Sequence, residues 1–399
     1  MTLLAKLKNR FINNAILCFQ RCKMEPGKAA YYTAFLLMTG GKAGGLDSSS
    51  KVYNVLFLIA IALLLIKYFT TEYSVKERLL TAALVLISGV SMIKSGEKTV
   101  LFSILFIITA KGIHVITLLK FVLAVRLVST SILMLLSGMG IIGNYSIPYY
   151  TAHINELKET IVDKVTYYYS FGYAHPNICF ISCFLIFIIF IFINYKKINW
   201  IYFAITGAGA VFVYTLTHSR TGLLVFLCFC LIVLLIRSAE QNNFVKQMIR
   251  LLIYSIPIAA VISVGAALLF DENSIVWLKI NTVFTGRLHI MHEYLSAFTP
   301  SLLGTACEGL SSFLDNMYLS LLLKSGIILF LLFLLSQYLL SRQLYKENRY
   351  IELGVLCTFA IYGLMEEFPL NVIMNPFLLY TGEILFKSSN KIRGENGKA

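Results

Sequence analysis

Five short polar stretches hold the side chains able to do chemistry, and all five lie beside long apolar runs. The first is Phe171-Gly172-Tyr173-Ala174-His175-Pro176-Asn177. Pro176 suits the first turn of a helix, and Gly172 permits a close approach of the loop. His175 reads as a general base, as a phosphate ligand, or as a plain interfacial side chain where a helix begins. The second is Thr217-His218-Ser219-Arg220-Thr221-Gly222. Arg220 would head a helix whose free N–H groups already favour an anion, and its fork matches diphosphate oxygens. The alternative is an arginine snorkelling to lipid headgroups.

The third stretch is Thr285-Gly286-Arg287-Leu288-His289-Ile290-Met291-His292-Glu293. Arg287 is a second candidate ligand for a phosphate or a sugar anion. His289 and His292 share a face at i, i+3, but a third ligand is missing nearby, so no metal is expected. The fourth is Leu314-Asp315-Asn316-Met317-Tyr318-Leu319, followed by Lys324-Ser325-Gly326. Asp315 reads equally as a helix N-cap or as the base that activates a sugar hydroxyl. The fifth is Met365-Glu366-Glu367-Phe368-Pro369, with Asn371 and Asn375 following. These two acids either mark the end of a span or bind sugar hydroxyls. Consecutive helix positions point apart, so a catalytic dyad between them is not expected.

The elements that must position these groups follow from composition. The 399 residues are 58% hydrophobic and 14% charged, with mean hydropathy +0.77. A soluble domain carries about 25% charged residues. This excludes a soluble enzyme, a disordered protein and a nucleic-acid-binding domain. The fold class expected is all-α and polytopic, because the apolar residues come in span-length runs. Spans read as 29–46, 52–68, 79–95, 99–112, 116–143, 177–195, 198–217, 221–236, 251–270, 318–341, 351–366 and 369–386. About twelve transmembrane helices at about 20 residues each use about 240 residues, leaving loops but no separate soluble domain. No internal repeat is apparent, which disfavours a transporter built from inverted halves.

Net charge is +14. With the N-terminus inside and alternating spans, 22 of the 34 Lys and Arg residues fall on the cytoplasmic side, as the positive-inside rule requires. Both termini are therefore expected to be cytoplasmic. A basic segment, 1–28, would lie on the inner membrane surface, and a tail, 387–399, would follow the membrane domain of 29–386. Two long loops then emerge outside, 144–176 and 271–315, and loops of this length are usually functional. Tyr149, Tyr150, Tyr167, Tyr168 and Tyr169 crowd the first and read mainly as an interfacial belt. The cysteines make no metal or disulfide pattern, and no cleavable signal peptide is apparent. Lys120 and Arg126 are the deep basic pair.

The order and placement of the polar stretches resemble the Wzy-type polysaccharide polymerases of the O-antigen ligase and polymerase superfamily. The resemblance covers roughly 50–386 and is strongest over 171–382, where Phe171 to Asn177, His218 to Gly222, Thr285 to Arg287 and Asp315 to Leu319 stand in the family's order. The run Gly363 to Glu367 also fits. Membership implies a multi-pass enzyme of the bacterial plasma membrane that builds capsule or exopolysaccharide. It joins repeat units carried on undecaprenyl diphosphate at the outer face, as a glycosyltransferase without metal or other cofactor. By this resemblance Arg220 and Arg287 hold the donor diphosphate and Asp315 stands where the related ligases carry a histidine, which favours polymerase over ligase. His175, Asn177, His218, Ser219, Tyr318 and Glu366 would line the substrate site. Partners implied are the lipid-linked oligosaccharide, membrane lipids, and a chain-length regulator and flippase of the same pathway, with no nucleic acid. The competing readings are a ligase that passes the glycan to another acceptor, a flippase of the same lipid-linked sugars, and a non-catalytic scaffold. Clustering of costly polar groups at one membrane face argues against the scaffold.

Overall fold

The helices begin and end where local chemistry directs them. Ser74 and Glu77 form a reciprocal capping box, and Gly96 closes the same helix in the left-handed region at φ 75°. Asn199 and Asn242 each accept the N–H two residues on, starting the next turns. A computed structural model describes residues 25–386 apart from 145, 155–159, 198, 240–241 and 311, and without the side chains of 146–154 and 160–166. The expected surface segment 1–28 is therefore described only from residue 25, and the expected tail 387–399 lies outside the described residues, as do the Tyr149 and Tyr150 side chains.

Among the described residues, eight helices are long and apolar enough to cross a membrane. They are α2 (Lys51–Phe69), α3 (Val75–Ser95), α5 (Val115–Gly138), α6 (Pro176–Asn194), α7 (Trp200–Thr217), α8 (Arg220–Ala239), the pair α9 (Asn243–Leu251) and α10 (Ser255–Leu269) joined by a 3-10 turn, and α14 (Ile327–Lys346). With them go α1 (Pro26–Ala43) and two shorter apolar helices, α4 (Thr99–Thr109) and α15 (Tyr350–Tyr362). Burial sorts them. The apolar window of α6 is 61% buried, against 17% for α3 and 22% for α2 and α7. α6 is thus the central post, while α2, α3 and α7 turn most of their apolar surface outward. Gly222 lets α8 close onto α6, since a Cβ there would stand 2.2 Å from the Phe180 ring.

Three features depart from the sequence expectation, one being the span 318–341, which opens as a short helix and a π-helical turn so that its long helix runs from Ile327 to Lys346. The first long loop is not without secondary structure: β1 (Ser146–Ile154) and β2 (Thr160–Tyr169) form an antiparallel hairpin with an irregularity at Thr151/Ala152. The second carries two helices, α11 (Ile275–Val283) and α12 (Arg287–Ala297). The largest departure is the expected span 369–386. It is a chain of short pieces: 3-10 turns at Phe368–Leu370 and Pro376–Tyr380, then α16 (Thr381–Leu385). Pro369 and Pro376 lack the N–H that a continuous helix needs. The segment survives because it is buried in protein, with Val372, Ile373 and Phe377 fully covered. Side chains then supply its missing partners. Ser103 Oγ donates to Leu370 O at 2.7 Å and accepts from Val372 N at 3.0 Å. Asn375 Nδ2 donates to Pro369 O at 3.0 Å, and Arg126 donates to Ile373 O.

Helix α1, with 18 residues, is about 27 Å long at about 1.5 Å per residue. Lys28 near its start lines one cavity and Lys42 near its end lines another, so the cavities open at opposite ends of the helical body. Ser103, 4% exposed, serves two backbone groups at once. Ser103→Ala is expected to lower stability by about 1–3 kcal/mol, the cost of leaving buried partners unpaired. Thermal unfolding of the purified protein in detergent checks this, and an unchanged midpoint would count against the bridge.

Candidate active site

Four segments far apart in the chain meet at the end of the body marked by Lys42. His175 caps α6: its Nδ1 accepts the Asn177 N–H at 3.1 Å. That bond leaves the ring proton on Nε2 in the neutral tautomer, so His175 presents a donor to the site rather than a base. Arg287 opens α12, just after Gly286 at φ 83°. Its Nη2 lies 2.9 Å from Glu366 Oε1 and 3.6 Å from Asp315 Oδ2, and its Nη1 donates to Met365 O. Asn177 Nδ2 reaches the same Glu366 oxygen at 3.4 Å.

The short helix α13 (Met317–Ser320) is capped by Asn316, whose Oδ1 accepts Leu319 N at 2.9 Å. The cap that Asp315 was equally suited to provide is therefore its neighbour's. Asp315 is free of that duty and is the most open of the three charged groups, its side chain 44% exposed against 12% for Arg287 and 13% for Glu366.

A second ion pair stands beside the first. Lys324 Nζ lies 3.1 Å from Glu367 Oε2, and Ser320 donates to Glu367 Oε1. Lys324 sits in a π-helical turn, Leu321–Ser325, that ends at Gly326. Gly326 at φ 92° lets the Leu302–Gly304 loop press against this turn, since a Cβ there would be 2.3 Å from Gly304 N. Glu366 and Glu367 are not held apart as successive positions on a helix, because α15 has already ended at Tyr362. They part because each follows its own cation.

Between these groups lies a cavity of about 300 Å³, lined by Asp47, Glu97, Asp315, Glu366 and Glu367 on the acidic side and Lys42 on the basic side. The resemblance implied two arginines, Arg220 and Arg287, at the substrate diphosphate, but the cavity is lined by neither. The lining is acidic because Arg287 and Lys324 lie behind their carboxylates and are neutralised there. Burial raises the Asp315 pKa, opposed by the charges of Arg287, His175 and Lys324. Burial likewise lowers that of His175, with Asp315 opposing. Glu366, outside the crossing helices, is pushed up to about 7 by burial, with Arg287 pulling it back and Asp315 adding to the rise. Carboxylates of raised pKa are stronger bases than free ones and good acceptors for sugar hydroxyls.

Of the residues expected to form the site, the structure places His175, Asn177, Arg287, Asp315 and Glu366 near one another. Other residues stand elsewhere. Arg220 heads α8 level with the start of α6; it is exposed, with no hydrogen bond or ion pair among the described residues. His218 closes α7 at φ 50° and stacks on Tyr168 at 4.7 Å, while Ser219 is buried. Tyr318 is wholly buried and donates to Ala360 O at 2.9 Å, so it is a packing residue and does not line the cavity. His289 and His292 turn to separate partners, Glu272 and the Ala267 carbonyl. Lys324, Ser320, Glu97 and Lys42 were not singled out as site residues. A lysine inside an apolar run was the available signal for Lys324. No family model, curated protein or solved structure matches the chain.

The raised Glu366 pKa has a stability consequence. The folded chain keeps this proton up to about pH 7, whereas the unfolded chain releases it near about pH 4.3. Between these values the folded state binds more protons, so this group's contribution falls as pH rises. Glu366→Gln should therefore flatten the decline of unfolding temperature across that window relative to wild type. Parallel slopes in the two proteins would refute the assignment.

Proposed function

We propose that the chain is a membrane glycosyltransferase that polymerises undecaprenyl-diphosphate-linked oligosaccharide repeat units at the outer face of a bacterial plasma membrane. One observation carries the reading. The motif residues His175, Asn177, Arg287, Asp315 and Glu366, drawn from four separated segments, converge beside a cavity at one end of an apolar helical body. In this reading the chain crosses twelve times with both termini inside. The eight long helices, α1, α4, α15 and the broken segment 368–385 supply the crossings.

The acceptor hydroxyl binds among the carboxylates. Asp315 takes its proton as the oxygen attacks the anomeric carbon of the donor chain. The bond from that carbon to the diphosphate breaks, and its electron pair leaves with the lipid diphosphate. Arg220, exposed at the head of α8 and free of carboxylates among the described residues, and the Nε2–H of His175 meet the charge that develops there. Arg287 already bonds Glu366 and Met365. It therefore acts first by fixing the two acids, with Asp315 at 3.6 Å as the more distant partner. The outward apolar faces of α2, α3 and α7 suit a site whose substrate carries a long lipid.

The test is the surface and lipid-linked glycan profile of a deletion strain complemented with single variants. Arg220→Ala, Arg287→Ala and Asp315→Asn should each cut long polymer by about 100-fold or more, with normal protein in the membrane. Arg287→Lys should restore it only in part, since lysine lacks the bidentate fork. Single repeat units in the deletion support the reading. Long chains that form but fail to reach their acceptor would replace it with a ligase, and units accumulating on the inner face with a flippase.

A further inference from the structure

The larger cavity, about 1130 Å³, opens at the opposite end of α1 from Asp315. It lies between the ends of α1, α2 and α4 on one side and those of α14, α15 and α16 on the other. Its cations are nearly all spoken for. Lys28 pairs with Glu25 at 3.4 Å and Lys111 with Glu77 at 2.8 Å. Arg349 is held by Glu347, Glu352 and Glu383 at 3.3, 3.1 and 2.6 Å.

Lys67 is the exception. It ends α2, is only 4% exposed, and lines the cavity. Its ammonium donates to Thr71 Oγ1 at 2.8 Å and meets no carboxylate within ion-pair distance among the described residues. Lys28 and Lys111 stand near enough for their charges to reach it. A buried ammonium has three donors, and its desolvation is offset only when they are met by acceptors of opposite charge. Here one neutral hydroxyl meets the ammonium directly, the charges of Lys28 and Lys111 oppose it, and that of Glu25, itself paired with Lys28, offsets them only in part.

We propose that this cavity is a binding site for a phosphate-bearing ligand, with Lys67 as its central contact and Lys28 and Lys111 at its sides. A phosphate monoanion or diester supplies the acceptor oxygens that Lys67 lacks. The volume exceeds what a single ion needs and suits a headgroup-sized molecule. Glu72, Glu347, Glu352 and Glu383 also line the cavity, so the phosphate is placed on its Lys67 side, where lysines between helix ends at a membrane surface take anionic headgroups. The site does not depend on the reaction assigned to the other end.

Purified full-length protein settles the matter in two arms. In one, unfolding temperature is measured in nanodiscs of phosphatidylglycerol and of phosphatidylcholine. In the other, inorganic phosphate is titrated into the protein in neutral detergent, against chloride at equal ionic strength. Wild type should gain about 3 °C or more in at least one arm. A gain with phosphatidylglycerol alone identifies a lipid headgroup, and a saturable gain with phosphate identifies a free phosphate. Lys67→Met should lose the gain, Lys67→Arg should keep it, and Lys28→Ala, on the exposed rim, should weaken affinity about threefold. No gain by wild type in either arm overturns the proposal, whether or not Lys67→Met folds. So does an equal gain by a folded Lys67→Met.

Discussion

A backbone group buried away from water must bond to protein, and the segment after α15 is where this chain meets that demand without a helix. Pro369 and Pro376 forbid regular spacing of donors. Ser103 from α4, Asn375 from the segment itself and Arg126 from α5 take over. Much else depends on this arrangement. It lets α15 stop at Tyr362, which frees Glu366 and Glu367 from helical geometry and turns both toward one cavity.

The two acids then organise the site through separate cations. Glu366 meets Arg287 from the head of α12, and Glu367 meets Lys324 from the π-helical turn. In water each pair would be worth little, since exposed ion pairs contribute about 0–1 kcal/mol. Enclosed as they are, they fix direction rather than add stability. The result is a cavity wall of carboxylates whose counter-charges lie behind them, a surface suited to polyol hydroxyls. Asp315 is more open than either and lines the same cavity.

Much of this was legible in the sequence, for reasons that differ by residue. His175-Pro176 announced the start of α6 because proline and a capping side chain are local signals. Arg220 was read as the head of a helix, and it heads α8. The long apolar helices were equally plain, since hydropathy is a property of the run itself. What failed were features decided at a distance. Asp315 and Asn316 are both good caps, and only the fold chooses Asn316. An acidic cavity could not be foreseen while Arg287 and Lys324 had no visible partners, because those carboxylates are 79 and 43 residues away. Tyr318 was expected to line the substrate site, yet burial and its bond to Ala360 make it core.

Arg126 links the two halves of the chain in time as well as space. Its guanidinium is wholly buried within α5, yet the carbonyl it bonds belongs to Ile373, 247 residues later. A ribosome adding about 5–20 residues per second delivers that carbonyl some tens of seconds after α5. Until then the arginine stands at membrane depth without its final acceptor, a placement costing roughly 2.5–3.5 kcal/mol on insertion scales. A nascent chain halted before residue 373 therefore holds α5 in an unfinished state. A segment made long after α5 is the one that locks this earlier helix in place.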